Sequence, residues 1–73
     1  MNHNIKLGTY KHYKGHICTV LGIAIHTENE TELVIYTHPH DGKEQLWARP
    51  LEMFIENITT DDYNGPRFEY IGE

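Results

Sequence analysis

The nine residues Ile17-Cys18-Thr19-Val20-Leu21-Gly22-Ile23-Ala24-Ile25 decide the fold of this 73-residue chain. Two apolar sets, rich in β-branched types, alternate with a period of two, which is typical of a β-strand. Because both faces are apolar, the pattern predicts a central strand. Within it, Gly22 indicates either a β-bulge or the close approach of a neighbouring backbone.

Further strands are expected on both sides of this one. Gly8 to Tyr13 precedes it, and the turn Lys14-Gly15, in which Gly15 is free to take a positive φ, makes the two a hairpin. The later strands are predicted at Glu32 to Thr37, Gln45 to Arg49 and Arg67 to Ile71. The connecting segments are a polar turn at 27–31, a loop at 38–42 that Pro39 and Asp41-Gly42 enforce, and a turn-rich stretch from Thr59 to Pro66.

A short helix is expected directly after the fourth strand. Pro50 holds Arg49 in an extended conformation and can open a helical or 3₁₀ turn over 51–55, which includes Phe54. The sequence therefore predicts a mostly β protein, a small five-stranded SH3-like barrel with a short helix before the last strand, formed by one domain over residues 1–73. Structural roles are assigned to Gly15, Gly22, Trp47, Pro50 and Phe54.

The composition restricts the environment and the partners. Cys18 is the only cysteine, which excludes a disulfide within the chain and predicts a small buried hydrophobe in a reducing cytoplasm. No apolar run approaches the roughly 20 residues that cross a bilayer, and the N-terminus resembles no secretion signal. Since a core of this size supplies only about 3–5 kcal/mol, we also expect a homo-oligomer.

Charge is distributed unevenly along the chain. The net charge is −5, but residues 1–26 carry three lysines and no acid, whereas residues 27–73 carry three basic and all eleven acidic residues. The whole surface is therefore unsuited to non-specific binding of nucleic acid. The basic N-terminal third can face an anion, and an equally simple reading is that the charges serve solubility.

Several segments resemble a bacterial and phage family, the domain of unknown function 1653. They are Tyr10-Lys11-His12-Tyr13-Lys14-Gly15, Val20-Leu21-Gly22 with Ala24, Glu32 to Tyr36, Leu46 to Phe54 with its Trp47-Ala48-Arg49-Pro50 block, and Pro66-Arg67-Phe68. The resemblance extends from about Lys6 to Phe68 and implies a fold but no function. The chain departs from the family pattern between His38 and Gln45, where the loop is longer and richer in histidine.

Metal chemistry and catalysis are not expected. Six histidines include the pairs His12/His16 and His38/His40, but a His-x₃-His pair serves one ion only on a helix, and Lys14-Gly15 predicts a turn there. No motif places a nucleophile beside a base and an orienting group. The prediction is a protein that is not an enzyme and uses no metal or other cofactor.

Aromatic and basic residues form the most informative set. Flat rings stack on bases, and the guanidinium fork matches phosphate or carboxylate. The two arginines each adjoin a proline, which restricts the local backbone. The candidate ligand-binding residues are Tyr10, His12, Tyr13, Lys14, Tyr36, Arg49 and Arg67. The structural alternative is that each arginine pairs with a glutamate such as Glu52 or Glu69, and that Trp47 is buried.

Three functions remain open at this point. The first is non-catalytic binding of an anionic small ligand such as a nucleotide or a cyclic nucleotide signal, for example by a phage-type sequestering protein. The second is an SH3-like protein-interaction module. The third is RNA or DNA binding through the basic N-terminal hairpin, against the net charge of −5.

Overall fold

A computed structural model describes residues 5–72, so that the ends of the predicted domain, residues 1–4 and 73, lie outside the described residues. The elements, in chain order, are β1 (Gly8–His12), β2 (Ile17–Ile25), β3 (Glu32–His40), β4 (Lys43–Pro50), α1 (Leu51–Phe54), β5 (Asn57–Thr59), β6 (Asn64–Pro66) and β7 (Phe68–Gly72). The mostly β class and the short helix after Pro50 are confirmed.

Five strands form one antiparallel sheet in the order β4-β3-β2-β1-β7, and β5 pairs with β6 in a separate hairpin. β2 lies at the centre, as its pattern predicts. The described strands β4 and β7 are the two edges and do not pair with each other, so the sheet is open and the predicted barrel is not confirmed. Between these edges in sequence lie α1 and the β5–β6 hairpin, and α1 packs into the core on one face of the sheet.

A β-bulge interrupts β2 at the position that Gly22 predicts. Val20 lies opposite Tyr36, whereas Gly22 lies opposite Ile35, which leaves Leu21 as the extra residue. The face towards the core therefore changes from even-numbered to odd-numbered positions, and Ile23 shares the face of Val34. A Cβ on Gly22 would meet no atom within 4 Å and its φ is not positive, so the bulge itself does not require glycine.

The region between β3 and β4 corrects the predicted loop at 38–42. β3 continues to His40, and Asp41 and Gly42, with φ of 54° and 78°, form a two-residue turn. Two positive φ angles are the signature of the type I′ turn that suits a tight hairpin. Pro39 is tolerated in the strand because it lies beyond Thr37, the last residue of β3 that pairs with β2.

The core occupies the face of the sheet that α1 covers, which we call the inner face. Its buried residues are Tyr10, Cys18, Val20, Val34, Tyr36, Leu51, Phe54 and Phe68. Phe54 and Phe68 stack with ring centroids 4.2 Å apart and planes 5° apart. Phe54 is 1% exposed, and Gly15 has a φ of 102°, which a residue with a Cβ rarely adopts.

The opposite, outer face of the sheet carries exposed apolar side chains that no described residue buries. Ile17, Leu21, Leu46 and Ile71 are each about half exposed or more, at 48–60%. Cys18 is buried, as expected, and desolvation raises the pKa of its thiol to about 11. No helix in the described part of the chain is long and apolar enough to cross a membrane.

Candidate ligand-binding site

A cavity of about 200 Å³ opens on the inner face of the sheet, beside the core. We call it the aromatic pocket. It is lined by His12, His16, Cys18, Tyr36, His38, Trp47, Arg49 and Phe68. No carboxylate is among these residues, and Arg49 carries the only permanent charge.

Strand register explains why these side chains meet. Tyr36 of β3 lies opposite Trp47 of β4, and Val34 lies opposite Arg49, so all four side chains share the inner face. On the other side, His12 of β1 lies opposite Phe68 of β7. The pocket is therefore bounded by β4 on one side and by the β1–β7 pair on the other.

Arg49 is a cation without a polar partner among residues 5–72. Its guanidinium carbon lies 5.5 Å from the centroid of the Phe68 ring, within the range of a cation–π contact. Its Nε is buried and has no hydrogen-bond partner, and no described residue forms an ion pair with Arg49. A buried donor without an acceptor costs about 1–3 kcal/mol. Arg49 is therefore the pocket residue that most strongly indicates a bound ligand.

His12 is neutral at physiological pH. Desolvation, followed by the nearby His16, Arg49, Arg67 and Lys14, lowers the pKa of its imidazole to about 4. Its Nδ1 accepts a hydrogen bond of 3.1 Å from the backbone N–H of Lys14. In the neutral ring the proton is then on Nε2, so His12 offers the pocket a hydrogen-bond donor.

Trp47 is a wall of the pocket rather than a core residue. Its side chain is 37% exposed, and its Nε1 donates a 3.2 Å hydrogen bond to the carbonyl oxygen of His38. The predicted burial is wrong because β4 is an edge strand, and no described residue covers the ring from that side. The His38 ring lies 6.5 Å from it and 5.1 Å from His16, which completes an aromatic rim.

Of the seven predicted ligand-binding residues, the pocket brings together His12, Tyr36 and Arg49. Tyr10 lies in the core, where its hydroxyl donates a 2.7 Å hydrogen bond to the carbonyl of Lys6 and burial raises its pKa. Tyr13 does not line the pocket. Its ring lies 4.7 Å from that of His12 and stacks on Tyr63, with centroids 5.4 Å apart, while the Lys14 Nζ lies 5.9 Å from the Tyr13 ring.

Arg67 is held by its own neighbours. Its Nε donates to the carbonyl oxygen of Met53 at 3.1 Å, and its Nη2 lies 3.0 Å from Oε1 of Glu56. The structural alternative thus applies to Arg67, with Glu56 in place of Glu52 or Glu69. It does not apply to Arg49, and the two arginines do not line one pocket.

Sequence reasoning missed five pocket residues: His16, Cys18, His38 and Phe68, which it did not name as ligand-binding, and Trp47, to which it assigned a structural role. The usable signal was the position of His12 and His16 at the two ends of the predicted β1–β2 turn, which places both rings at one end of the hairpin. His38 was not predictable as a pocket residue, because its sequence setting indicates a loop rather than the end of β3. Among residues 5–72, no group of three histidine, cysteine or acidic side chains is arranged to hold a metal ion.

Comparison with known proteins gives a family and a structural relative. The sequence profile described as "Protein of unknown function (DUF1653)" matches residues 8–70. The crystal structure of a DUF1653 protein from Bordetella bronchiseptica is similar, with a TM-score of 0.84 and 31% sequence identity, over 94% of this chain and 90% of that one. A search of curated proteins finds no match. The chain therefore belongs to the family of proteins of unknown function DUF1653.

Proposed function

We propose that this protein is a non-catalytic binding protein whose aromatic pocket holds a small planar anion of the nucleotide class. The observation that carries the proposal is Arg49, whose buried Nε has no hydrogen-bond partner in the described part of the chain and whose guanidinium lies inside a pocket without carboxylates. An anionic group in this position supplies the acceptor that the protein itself does not provide.

The polar groups of the pocket match an acceptor-rich ligand. Arg49 and the neutral His12 present N–H donors, and no acidic side chain competes for them. Around them, Trp47, His38 and His16 form a rim of flat rings on which a base can stack. The pocket thus combines charge-assisted hydrogen bonding with a stacking surface, which is the combination that a nucleotide needs.

The size of the cavity limits how the ligand sits. Pockets that enclose a drug-sized ligand measure about 300–1,000 Å³, whereas this one measures about 200 Å³. One end of a nucleotide fits inside, and the remainder lies across the exposed rim. Arg49, near the Phe68 ring, is the natural position for the phosphate, with the base against Trp47.

Two of the pocket residues, Cys18 and His12, are unsuited to catalysis. Burial keeps the Cys18 thiol protonated, with a pKa of about 11, so it is not a nucleophile at neutral pH. His12 uses its Nδ1 lone pair to accept the Lys14 N–H, which leaves no free basic nitrogen on that ring. Binding without turnover is sufficient for a protein that sequesters a signal nucleotide, including one of the phage type.

Calorimetric titration with mono-, di- and cyclic nucleotides tests the proposal through Arg49→Met, which removes the guanidinium but keeps a long side chain. Charge-assisted hydrogen bonds are worth about 1.5–3 kcal/mol, so we expect a loss of affinity of roughly 10- to 150-fold. Lys11→Met is the matched control, because it removes the same charge outside the pocket. Equal losses in both variants, or no binding by the wild type at millimolar concentration, would reject the proposal for these ligands.

One observation favours a second candidate function, a protein-interaction module. β4 is an eight-residue edge strand, and seven of its residues are exposed, so it can accept a peptide strand. Binding through the N-terminal hairpin to RNA or DNA has less support, because Lys11 lies opposite Glu69 of β7. Pull-down of a protein partner by the wild type, lost in a variant with a blocked β4 edge, would favour the module.

A further inference from the structure

The outer edge of β4 is an open strand of eight residues. The strand runs from Lys43 to Pro50 and pairs with no strand among residues 5–72 on the side away from β3. Its charged residues are Lys43, Glu44 and Arg49. Natural sheets shorten, twist or cover such edges, because unpaired backbone groups pair with other chains. Leu46 and Trp47, at the middle of the strand, are exposed apolar side chains that favour association with another chain.

The hairpin geometry fixes which backbone groups point outwards. With a two-residue turn at Asp41-Gly42, His40 and Lys43 are the hydrogen-bonded pair that closes the hairpin. Alternation along the strand then directs the N–H and C=O groups of Glu44, Leu46 and Ala48 away from β3. Pro50 follows the same alternation, so its missing N–H costs the β3–β4 pair nothing.

We propose that β4 pairs antiparallel with β4 of a second copy, centred on Trp47, and joins the two sheets edge to edge. An isologous two-fold interface pairs a strand with itself. Because opposed side chains share a face, only registers that pair odd with odd and even with even positions are possible. This leaves Leu46 or Trp47 as the centre of a register that uses the whole strand.

Charge distinguishes the two registers. A centre at Leu46 places Lys43 opposite Arg49 of the second copy, which brings two cations together. A centre at Trp47 places Gln45 opposite Arg49 and Leu46 opposite Ala48, and no like charges face each other. Like charges directly opposite destabilise a strand pair, so the Trp47 register is favoured.

This pairing also extends the aromatic pocket, an inference that rests on the proposed function. Trp47 and Arg49 lie on the edge strand itself, so the second copy places its own Trp47 and Gln45 beside the open side of the pocket. A ligand too large for about 200 Å³ then contacts both subunits. The two pockets of the dimer lie on one continuous face.

Sedimentation equilibrium at tens of micromolar protein, without ligand, tests the pairing. We expect the wild type at twice the 8.6 kDa of one chain. Ala48→Pro removes one outward N–H at an edge position, where proline is tolerated, and is expected to give a folded monomer. Leu21→Lys is the matched control, because it places a charge on the uncovered outer face and should leave the dimer intact.

Two cysteine variants distinguish a β4–β4 pairing centred on Trp47 from one centred on Leu46. Trp47→Cys places two thiols directly opposite each other and should form a disulfide-linked dimer in air, whereas Leu46→Cys should cross-link much less. A monomeric wild type, a dimer that Leu21→Lys abolishes and Ala48→Pro retains, or preferential cross-linking through Leu46→Cys would each overturn the proposal. A dimer that binds no nucleotide would reject the proposed function and leave the pairing standing.

Discussion

Replacing Phe54 with alanine is expected to unfold the protein or to lower its free energy of unfolding by about 3–5 kcal/mol. The ring is 1% exposed, stacks on Phe68 at 4.2 Å, and makes an edge contact with Tyr10 at 5.3 Å. It is the side chain through which α1 joins the core. Because a domain of this size has a core worth only about 3–5 kcal/mol, the loss is comparable to its whole stability.

Urea denaturation followed by circular dichroism measures this effect. The neighbouring residue supplies the control, since Met53 is 46% exposed and Met53→Ala should cost less than about 1 kcal/mol. A Phe54→Ala protein with the midpoint of the wild type would show that α1 does not anchor the core. Similar losses in both variants would point to the helix itself rather than to the packing of its buried face.

The second large effect is expected for Trp47→Ala, and it concerns ligand binding more than stability. Loss of a stacking ring costs about 1–3 kcal/mol per base, so nucleotide affinity should fall roughly 5- to 150-fold. The ring is 37% exposed, and we expect its loss to lower the free energy of unfolding by only about 1–2 kcal/mol, less than the loss of Phe54.

Calorimetry and thermal melting of the same Trp47→Ala sample separate the two effects. Leu21→Ala is the control, because Leu21 is 50% exposed, lies on the outer face of the sheet and is not part of the β4 edge. We expect its affinity to equal that of the wild type. If Trp47→Ala binds normally but melts as early as Phe54→Ala, Trp47 is a core residue and not part of a binding site.

Local sequence patterns predict the five strands of the main sheet, miss the β5–β6 hairpin in the stretch predicted as turns, and predict the closure of the sheet poorly. The alternation in β2, the Lys14-Gly15 turn and the helix after Pro50 are encoded within short windows and agree with the structure. Whether β4 meets β7 depends on the path of the chain between Leu51 and Phe68, for which no local pattern exists. The prediction of a loop at 38–42 is wrong because Pro39 indicates the end of a strand. This part of β3 does not pair with β2, so it tolerates the proline.

The candidate site was predictable in part for a similar reason. The chemistry of His12, Tyr36 and Arg49 identifies them in the sequence, and the register of β1, β3 and β4 places them on one face. Arg67 has the same chemistry and the same adjacent proline, but its partner Glu56 precedes the β5–β6 hairpin, which only the folded chain brings close. Chemistry identifies candidates, and long-range pairing decides which of them are free to bind.

The most direct test of the central claim uses the two arginines as internal probes. With only Arg49 and Arg67 in the chain, a ¹⁵N-labelled sample gives two arginine Nε–H signals, one without an acceptor and one bonded to Met53. On titration with a nucleotide, we expect the Arg49 signal to move with ligand concentration while the Arg67 signal stays in place. Movement of the Arg67 signal alone, or of neither signal at millimolar nucleotide, would contradict an anion site at Arg49.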